Sequence, residues 1–388
     1  MGAPRTDHAD RPGMKVSYFV HDIGHPDLAR RLALLREGGA ETMVFGFHRT
    51  RAVDRDLVGT IIDLGRTVDA RLIHRIWAVA TALPRLRHFA SDLASSRVLL
   101  ARNLEMLLLA AVARRLYAPR AALVYECLDI HHLMLSRGGV GAALRELERR
   151  LLGRSQGLVV SSPGFIREYF KRVHSSLPQS FVVENKVFLG GEQPRRRATM
   201  APAGPPWRIG WFGVIRCRRS LEILTNLVRS MPELVQVMVA GMPARAVFGD
   251  FERDLEGVPG LTFLGAFKDE AALADLFSSV HFAWTVDYYE ADANSAWLLP
   301  NRLYRAALYG AVPLAIADVE TGKWLAARQA GILLQEPLKE SLLDTIRGMT
   351  LERFTNAQAA LERIPRSALV TEPGECGALV RALSELDR

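Results

Sequence analysis

Two short segments of this 388-residue chain gather arginines where a helix would begin. In "GVIRCRRSLEIL", Gly213 closes an apolar run. Arg216, Arg218 and Arg219 follow, and Ser220 opens a helical pattern. In "PNRLYRAALYGAVPLAI", Pro300, Asn301 and Arg302 head a second helical pattern, with Arg305 one turn later. The first turn of a helix leaves N–H groups unpaired and carries partial positive charge, so it attracts anions. Arginine adds a fork of donors matched to phosphate oxygens. Proline suits a first turn because its missing N–H has no partner to lose there. Two such starts converging on one crevice would hold a diphosphate; the plainer alternative for each is a solvated basic turn. The Gly-x4-Gly-Lys-Ser/Thr loop is absent, and the first strand does not lead into Gly-x-Gly-x-x-Gly, which argues against a dinucleotide cofactor.

Proton-transfer groups cluster elsewhere. "FVHDIGHPD" offers His21, Asp22 and His25, and "YECLDIHH" offers Asp129, His131 and His132. Each is a candidate general acid or base. Each histidine could equally order a loop through hydrogen bonds, and Asp22 could cap the helix that follows it.

These residues need elements to hold them. The apolar periodicity predicts strands at 15–20, 40–49, 60–63, 97–101, 121–130, 157–162 and 180–188. Helices at 27–39, 105–118, 141–156 and 162–173 alternate with them. The Gly-, Pro- and Arg-rich residues 191–206 have no periodicity and read as a linker. The alternation then restarts, with strands at 207–214, 235–243, 261–267, 281–286 and 312–318. Helices at 220–232, 270–280 and 300–310 lie between them, and 337–388 reads as helical with breaks. The expectation is an α/β chain of two doubly wound, Rossmann-like domains facing across a cleft. Residues 1–13 read as a disordered lead, 14–190 as the first domain and 207–388 as the second, whose last helices could return to the first. In such folds ligands sit beyond the carboxyl ends of the strands, where both arginine segments and both proton-transfer clusters fall.

Composition narrows the function classes. Cys127, Cys217 and Cys376 are far apart and in no CxxC spacing, which argues against a disulfide scaffold or zinc site. No apolar run approaches the roughly 20 residues a membrane span needs, and the start lacks the apolar core of a signal peptide. Residues 1–197 carry 31 Lys and Arg against 19 Asp and Glu, while the rest carry 19 against 23. The basic surface therefore belongs to the first half. An anionic membrane or a nucleic acid would each suit it, but nothing matches a nucleic-acid module, so no nucleic-acid partner is expected.

The order of these segments resembles GT-B glycosyltransferases, close to the retaining family 4 and to bacterial exopolysaccharide transferases. In that family a Lys or Arg stands six residues past the Gly of the loop after the second domain's first strand and is followed by Gly; counted here from Gly213, those positions are Arg219 and Ser220. "LTFLGAFKDEAALADLFSSVHFAW" is similar to the family's strand–Gly–helix–strand run, which implies that Ala266 and Phe267 meet the nucleotide base. "PNRLYRAALYGAVPL" resembles the family's Pro-x-Lys-Leu-x-Glu…Gly-x-Pro signature. Arg302 falls on the phosphate-binding Lys, and Gly310 and Pro313 fall on the Gly-x-Pro. Asn185 in "VVENKVF" matches a Pro-Asn-Gly strand before the linker. The resemblance spans most of Met14 to about Pro337. It departs at the family's Glu-x7-Glu, whose two positions are Trp297 and Arg305, so the ribose-binding carboxylate is missing. An arginine there would suit a more negative donor, such as a uronic acid sugar nucleotide, or would simply face solvent.

The resemblance implies a glycosyltransferase that moves a sugar from a nucleotide-diphosphate donor, with no bound divalent ion and no cofactor. It implies Asp129 as the first candidate base, with Asp22 and His131 behind it. The stretch 65–89 interleaves Arg71, Arg75, Arg85 and Arg87 with Trp77 and Phe89. It could lie in an anionic membrane interface, or pack its apolar stripe on its own domain. A lipid-linked or glycan acceptor would then be met at the inner face of the cytoplasmic membrane. The competing readings are a non-hydrolysing UDP-sugar epimerase and a non-catalytic sugar-nucleotide-binding protein.

Overall fold

The computed structural model describes residues 13–49, 60–67, 81–190, 194–291 and 293–386. Two parallel sheets organise them. The first holds β1 (Met14–Val20), β2 (Ala40–His48), β3 (Thr60–Arg66), β4 (Val98–Arg102), β5 (Ala122–Cys127), β6 (Gly157–Val160) and β7 (Gln179–Val182), in the order β3-β2-β1-β4-β5-β6-β7. The second holds β8 (Trp207–Ile215), β9 (Val235–Pro243), β10 (Leu261–Phe263), β11 (Phe282–Trp284), β12 (Val312–Ile316) and β13 (Ile332–Leu334), in the order β10-β9-β8-β11-β12-β13. In each sheet the order reverses direction once, between β1 and β4 and between β8 and β11. Such switch points open a crevice at the carboxyl edge.

The strands are covered on both faces, as their sequences require. β4 and β5 are buried at every residue and read as continuous runs rather than alternations. Helices that matter below are α1 (Pro26–Glu37), α2 (Arg218–Ser230), α3 (Glu270–Ser278), α4 (Asn294–Trp297), α5 (Asn301–Leu308) and α6 (Pro373–Ser384). Large aromatics fill the second core, among them Trp207, Trp211 and Trp284. The chain ends on the first domain: Val380 and Leu383 of α6 and Leu386 beyond it join the cluster formed by β1 and α1. The Arg97 guanidinium donates to the Ser384 carbonyl at 2.8 Å.

Three details differ from the sequence reading. β13 was not foreseen; three residues are too short to carry a period. The helix expected at 162–173 contains a π turn over Ile166–Phe170. α5 begins at Asn301, with Pro300 as its extended N-cap at φ −74° and ψ 147° rather than inside its first turn.

Candidate active site

The carboxyl edges of the two sheets face each other. After β5 the backbone of Ile130 meets Asn294 of α4, and after β6 the Ser162 hydroxyl donates to the Trp297 carbonyl at 2.6 Å. The second-domain side of this cleft is built from close backbone. Gly213 and Gly241 both have left-handed φ, at 120° and 133°. A Cβ on Gly241 would run into the Gly213 carbonyl, whereas one on Gly213 would meet nothing within 4 Å. The ends of β8 and β9 therefore lie against each other, and the backbone at Gly213 borders open space.

Arg216 leaves this edge and donates to Asp287, with Nη2 at 3.0 Å and Nε at 3.3 Å from Oδ2. The other oxygen of Asp287 accepts the Tyr289 N–H at 2.8 Å, which fixes the carboxylate. Arg302 stands in the first turn of α5 beside the same carboxylate. Its Nη1 is buried without a hydrogen-bond partner among the described residues. Burial lowers its pKa, and Arg216 lowers it further, against the opposing pull of Asp287. Arg216 thus pairs with a carboxylate that also pulls electrostatically on Arg302, at the switch point between β8 and β11. A buried donor without a partner costs about 1–3 kcal/mol. An anionic oxygen seated there would relieve that cost and the excess charge together.

The rest of the predicted donor set divides. Arg219 lies 3.9 Å above the Tyr288 ring, 3.6 Å from a Glu336 oxygen, and is more than half exposed at the rim. Tyr288 donates to Glu336, and that bond holds the Glu336 carboxyl below its usual range. Asn301 is half-buried at the start of α5. Ala266 is exposed and Phe267 half-buried just past Gly265, whose carbonyl accepts from Gly241. Ser220 is fully buried in the first turn of α2; its N–H is taken by the Cys217 sulfur at 3.3 Å, and its hydroxyl has no hydrogen-bond partner among the described residues. The same sulfur accepts the Tyr288 N–H at 3.3 Å and ties the two arginine-bearing edges together.

Arg305 is not the unpaired cation the sequence suggested. Its Nε and Nη2 form a bidentate pair with Glu270 of α3 at 2.7–2.9 Å, and the Tyr309 hydroxyl adds a bond at 3.1 Å. Glu270 of the neighbouring helix α3 thus holds the side chain of Arg305. The charge of Arg305 is therefore balanced within the fold, which weakens the case for a uronic acid donor.

Across the cleft, Asn103 sits at the switch point of the first sheet with φ 71°, a conformation a non-glycine residue adopts at a cost. Its Nδ2 lies 3.2 Å from Nδ1 of His21. Asp22 accepts the Gly24 N–H at 3.0 Å and lies 3.3 Å from Arg49. It does not cap α1; His25 does, accepting from Asp27 at 3.3 Å. Asp129 is exposed just beyond β5. His131 accepts the Leu133 N–H through Nδ1 at 3.3 Å, which makes it a helix cap whose neutral form carries its proton on Nε2. It therefore suits a donor better than a base. Below this edge, Glu126 accepts from Tyr18 and from Arg102 at 2.8 Å, and pairs with Arg31 at 2.6 Å. Burial pushes the Glu126 carboxyl up, but the two arginines outweigh it and hold it at about 2.

Of the interfacial stretch, Arg71, Arg75 and Trp77 lie outside the described residues. Arg85 donates to the Leu64 carbonyl and Arg87 is exposed. Phe89 does not face outward: it packs edge-on against Phe45, 5.7 Å away, beside the buried Leu86. No helix among the described residues is long and apolar enough to cross a membrane.

Sequence reading missed Asp287, Glu270, Asn294 and Asn103. For Asp287, Glu270 and Asn103 the available signal was their place just after predicted strands or at a predicted helix start; Asn294 had none.

No family model matches the sequence. The chain is 37% identical over 378 residues to the succinoglycan biosynthesis protein ExoL of Rhizobium meliloti, covering 96% of this chain and 94% of that one. Among solved structures, it resembles HepE of Anabaena in complex with UDP and glucose, with TM-score 0.67 at 13% identity over 95% of this chain and 98% of that one. The sucrose-phosphate synthase of Thermosynechococcus elongatus gives 0.66 at 13% identity, covering 95% and 94%. WaaG, a glycosyltransferase involved in lipopolysaccharide biosynthesis, gives 0.63 at 14% identity, covering 94% and 99%. At these identities the structural likenesses establish the fold, GT-B.

Proposed function

Since the chain belongs to the family of succinoglycan biosynthesis protein ExoL, glycosyltransferases of GT-B fold, we propose that it moves a sugar from a UDP-type donor to a lipid-linked or polysaccharide acceptor in surface polysaccharide assembly. The observation that carries the donor half is the buried, unpartnered Nη1 of Arg302, beside Arg216 and Asp287, in the first turn of α5. UDP is favoured as the leaving group because HepE, which shares the fold, was solved with UDP and with UDP-glucose.

The chemistry follows from charge. The bond between the anomeric carbon and the diphosphate oxygen breaks, and its electron pair stays on the diphosphate. Arg302, Arg216 and the N–H groups opening α5 meet that growing charge, with Arg219 swinging in from the rim. An acceptor hydroxyl forms the new bond to the anomeric carbon and gives up its proton. Asp129, exposed on the opposite edge, is our first candidate for taking it, with Asp22 as the second. We assign no metal or other cofactor.

The membrane half of the proposal rests on the basic first domain, with Arg85 and Arg87 on its surface, and puts the protein peripherally on the inner face of the cytoplasmic membrane. A calorimetric screen of UDP, GDP, ADP and their sugars tests the donor. UDP species should bind most tightly; binding of none of them would overturn the reading. Co-sedimentation with anionic liposomes tests the surface: binding at low salt that fades with added salt is expected, and none at low salt would remove the membrane half.

A further inference from the structure

The connection from β11 to α5 does two things at once. At its start, Asp287 holds Arg216 and stands beside Arg302. Further on, it grips the opposite domain. The Asn294 side chain is only 4% exposed and reaches Ile130 with both of its functional groups. Its Oδ1 accepts the Ile130 N–H at 2.7 Å, and its Nδ2 donates to the Ile130 carbonyl at 2.8 Å. A carboxamide is the side chain that can serve a peptide's donor and acceptor together.

The grip is braced from its own side. Glu290 accepts a second bond from Nδ2 of Asn294, and the Ser295 hydroxyl accepts the Glu290 N–H at 3.1 Å. Three residues on, the Trp297 carbonyl takes the Ser162 hydroxyl, and it sits so close to Gly164 that any Cβ there would strike it. Asn294 is thus a fixed strut rather than a surface side chain in passing contact.

What it holds gives the contact its meaning. Ile130 lies between Asp129 and His131, at the tip of the edge that faces the donor side. We propose that Asn294 is a positioning residue: through Ile130 it couples occupation of the Arg216–Asp287–Arg302 seat to the placement of the Asp129–His132 turn. This rests on the donor reading above and extends it. A diphosphate that draws Arg216 and Arg302 together acts on Asp287, near the start of the connection. Asn294 passes that constraint to the acceptor side. Coupling of this kind is reciprocal, so an ordered turn should in return favour the nucleotide.

Hydrogen exchange with and without UDP tests it on the whole chain. In the wild type, UDP should slow the amides of residues 128–136 by about fivefold or more. Asn294→Ala should still bind UDP, within about tenfold of wild type, and lose that slowing. Asn294→Asp keeps the size of the side chain but has no hydrogen to offer the Ile130 carbonyl. It should behave like the alanine variant and serves if that one does not fold. Slowing that persists in a UDP-binding variant overturns the inference, as does a wild type that binds UDP without any slowing. Failure of the wild type to bind UDP overturns the donor reading instead, so the two failures are told apart.

Discussion

Replacing Arg302 with alanine should separate binding from stability. Arg302 is half-buried, its Nη1 is buried without a partner among the described residues, and its pKa is lowered by burial and by Arg216. Its desolvation is therefore already spent in the free protein. A charge-assisted hydrogen bond contributes about 1.5–3 kcal/mol, twice or so a neutral one. At 1.4 kcal/mol per tenfold, Arg302→Ala should weaken UDP by roughly 10- to 150-fold. Uridine, which has no phosphate, should bind both proteins equally. Stability should move little, because the lost side chain takes an uncompensated cation with it while Asp287 keeps Arg216. The midpoint of unfolding should stay within about 2 °C. Arg302→Lys keeps the charge but not the fork, so it should fall between the two. Titration calorimetry with UDP and uridine on the three proteins reads all of this. UDP affinity unchanged within twofold, or an equal loss for uridine, would refute the reasoning.

Three further outcomes are expected. Asp129→Asn should reduce turnover of UDP-sugars by about a hundredfold or more, as loss of a general base does, with UDP affinity unchanged; a coupled assay of UDP release measures it, and an intact rate rules Asp129 out. Glu126→Gln leaves Arg31 and Arg102 buried without their counter-charge and should cost about 3–5 kcal/mol at neutral pH by chemical denaturation. The Glu126 carboxyl is depressed from 4.5 to about 2, so its stabilisation is complete above about pH 4.5 and is lost as pH falls towards 2. The variant should lack that part of the acid decline, and a parallel decline would show that Glu126 is not its source. Finally, Arg305→Ala should leave the ratio of UDP-glucuronate to UDP-glucose binding unchanged, because Glu270 already balances the charge. A double-mutant cycle on Glu270 and Arg305 should give about 0.5–3 kcal/mol of coupling, and a selective loss of UDP-glucuronate would restore the uronic acid idea.

The sequence carried the fold well because each strand–helix unit writes its own period. "VQVMVAGMP" and "SLEILTNLVRSMP" show it within a few residues of the observed bounds. It carried the site only in part. Arg216 and Arg302 were legible as cations at strand ends and helix starts, which is local information. Asp287, 71 positions from Arg216, was not. An acidic residue in a long loop looks the same whether it is solvated or paired with a guanidinium. Arg305 misled for the same reason, since its partner Glu270 lies 35 positions away on another helix. Ser220 matched a motif position, yet its burial and the engagement of its N–H with Cys217 could not be read from the motif. Asn294 gave no signal, because its partner is a backbone peptide and backbone is invisible to a reading of side-chain types.

The central claim is that Arg216 and Arg302 seat a diphosphate at the switch point of the second sheet. A crystal structure with UDP bound tests it most directly. The account predicts diphosphate oxygens within about 2.7–3.2 Å of both guanidiniums and of the first N–H groups of α5. Density for UDP elsewhere, or an Arg302 turned away from it, would contradict the account.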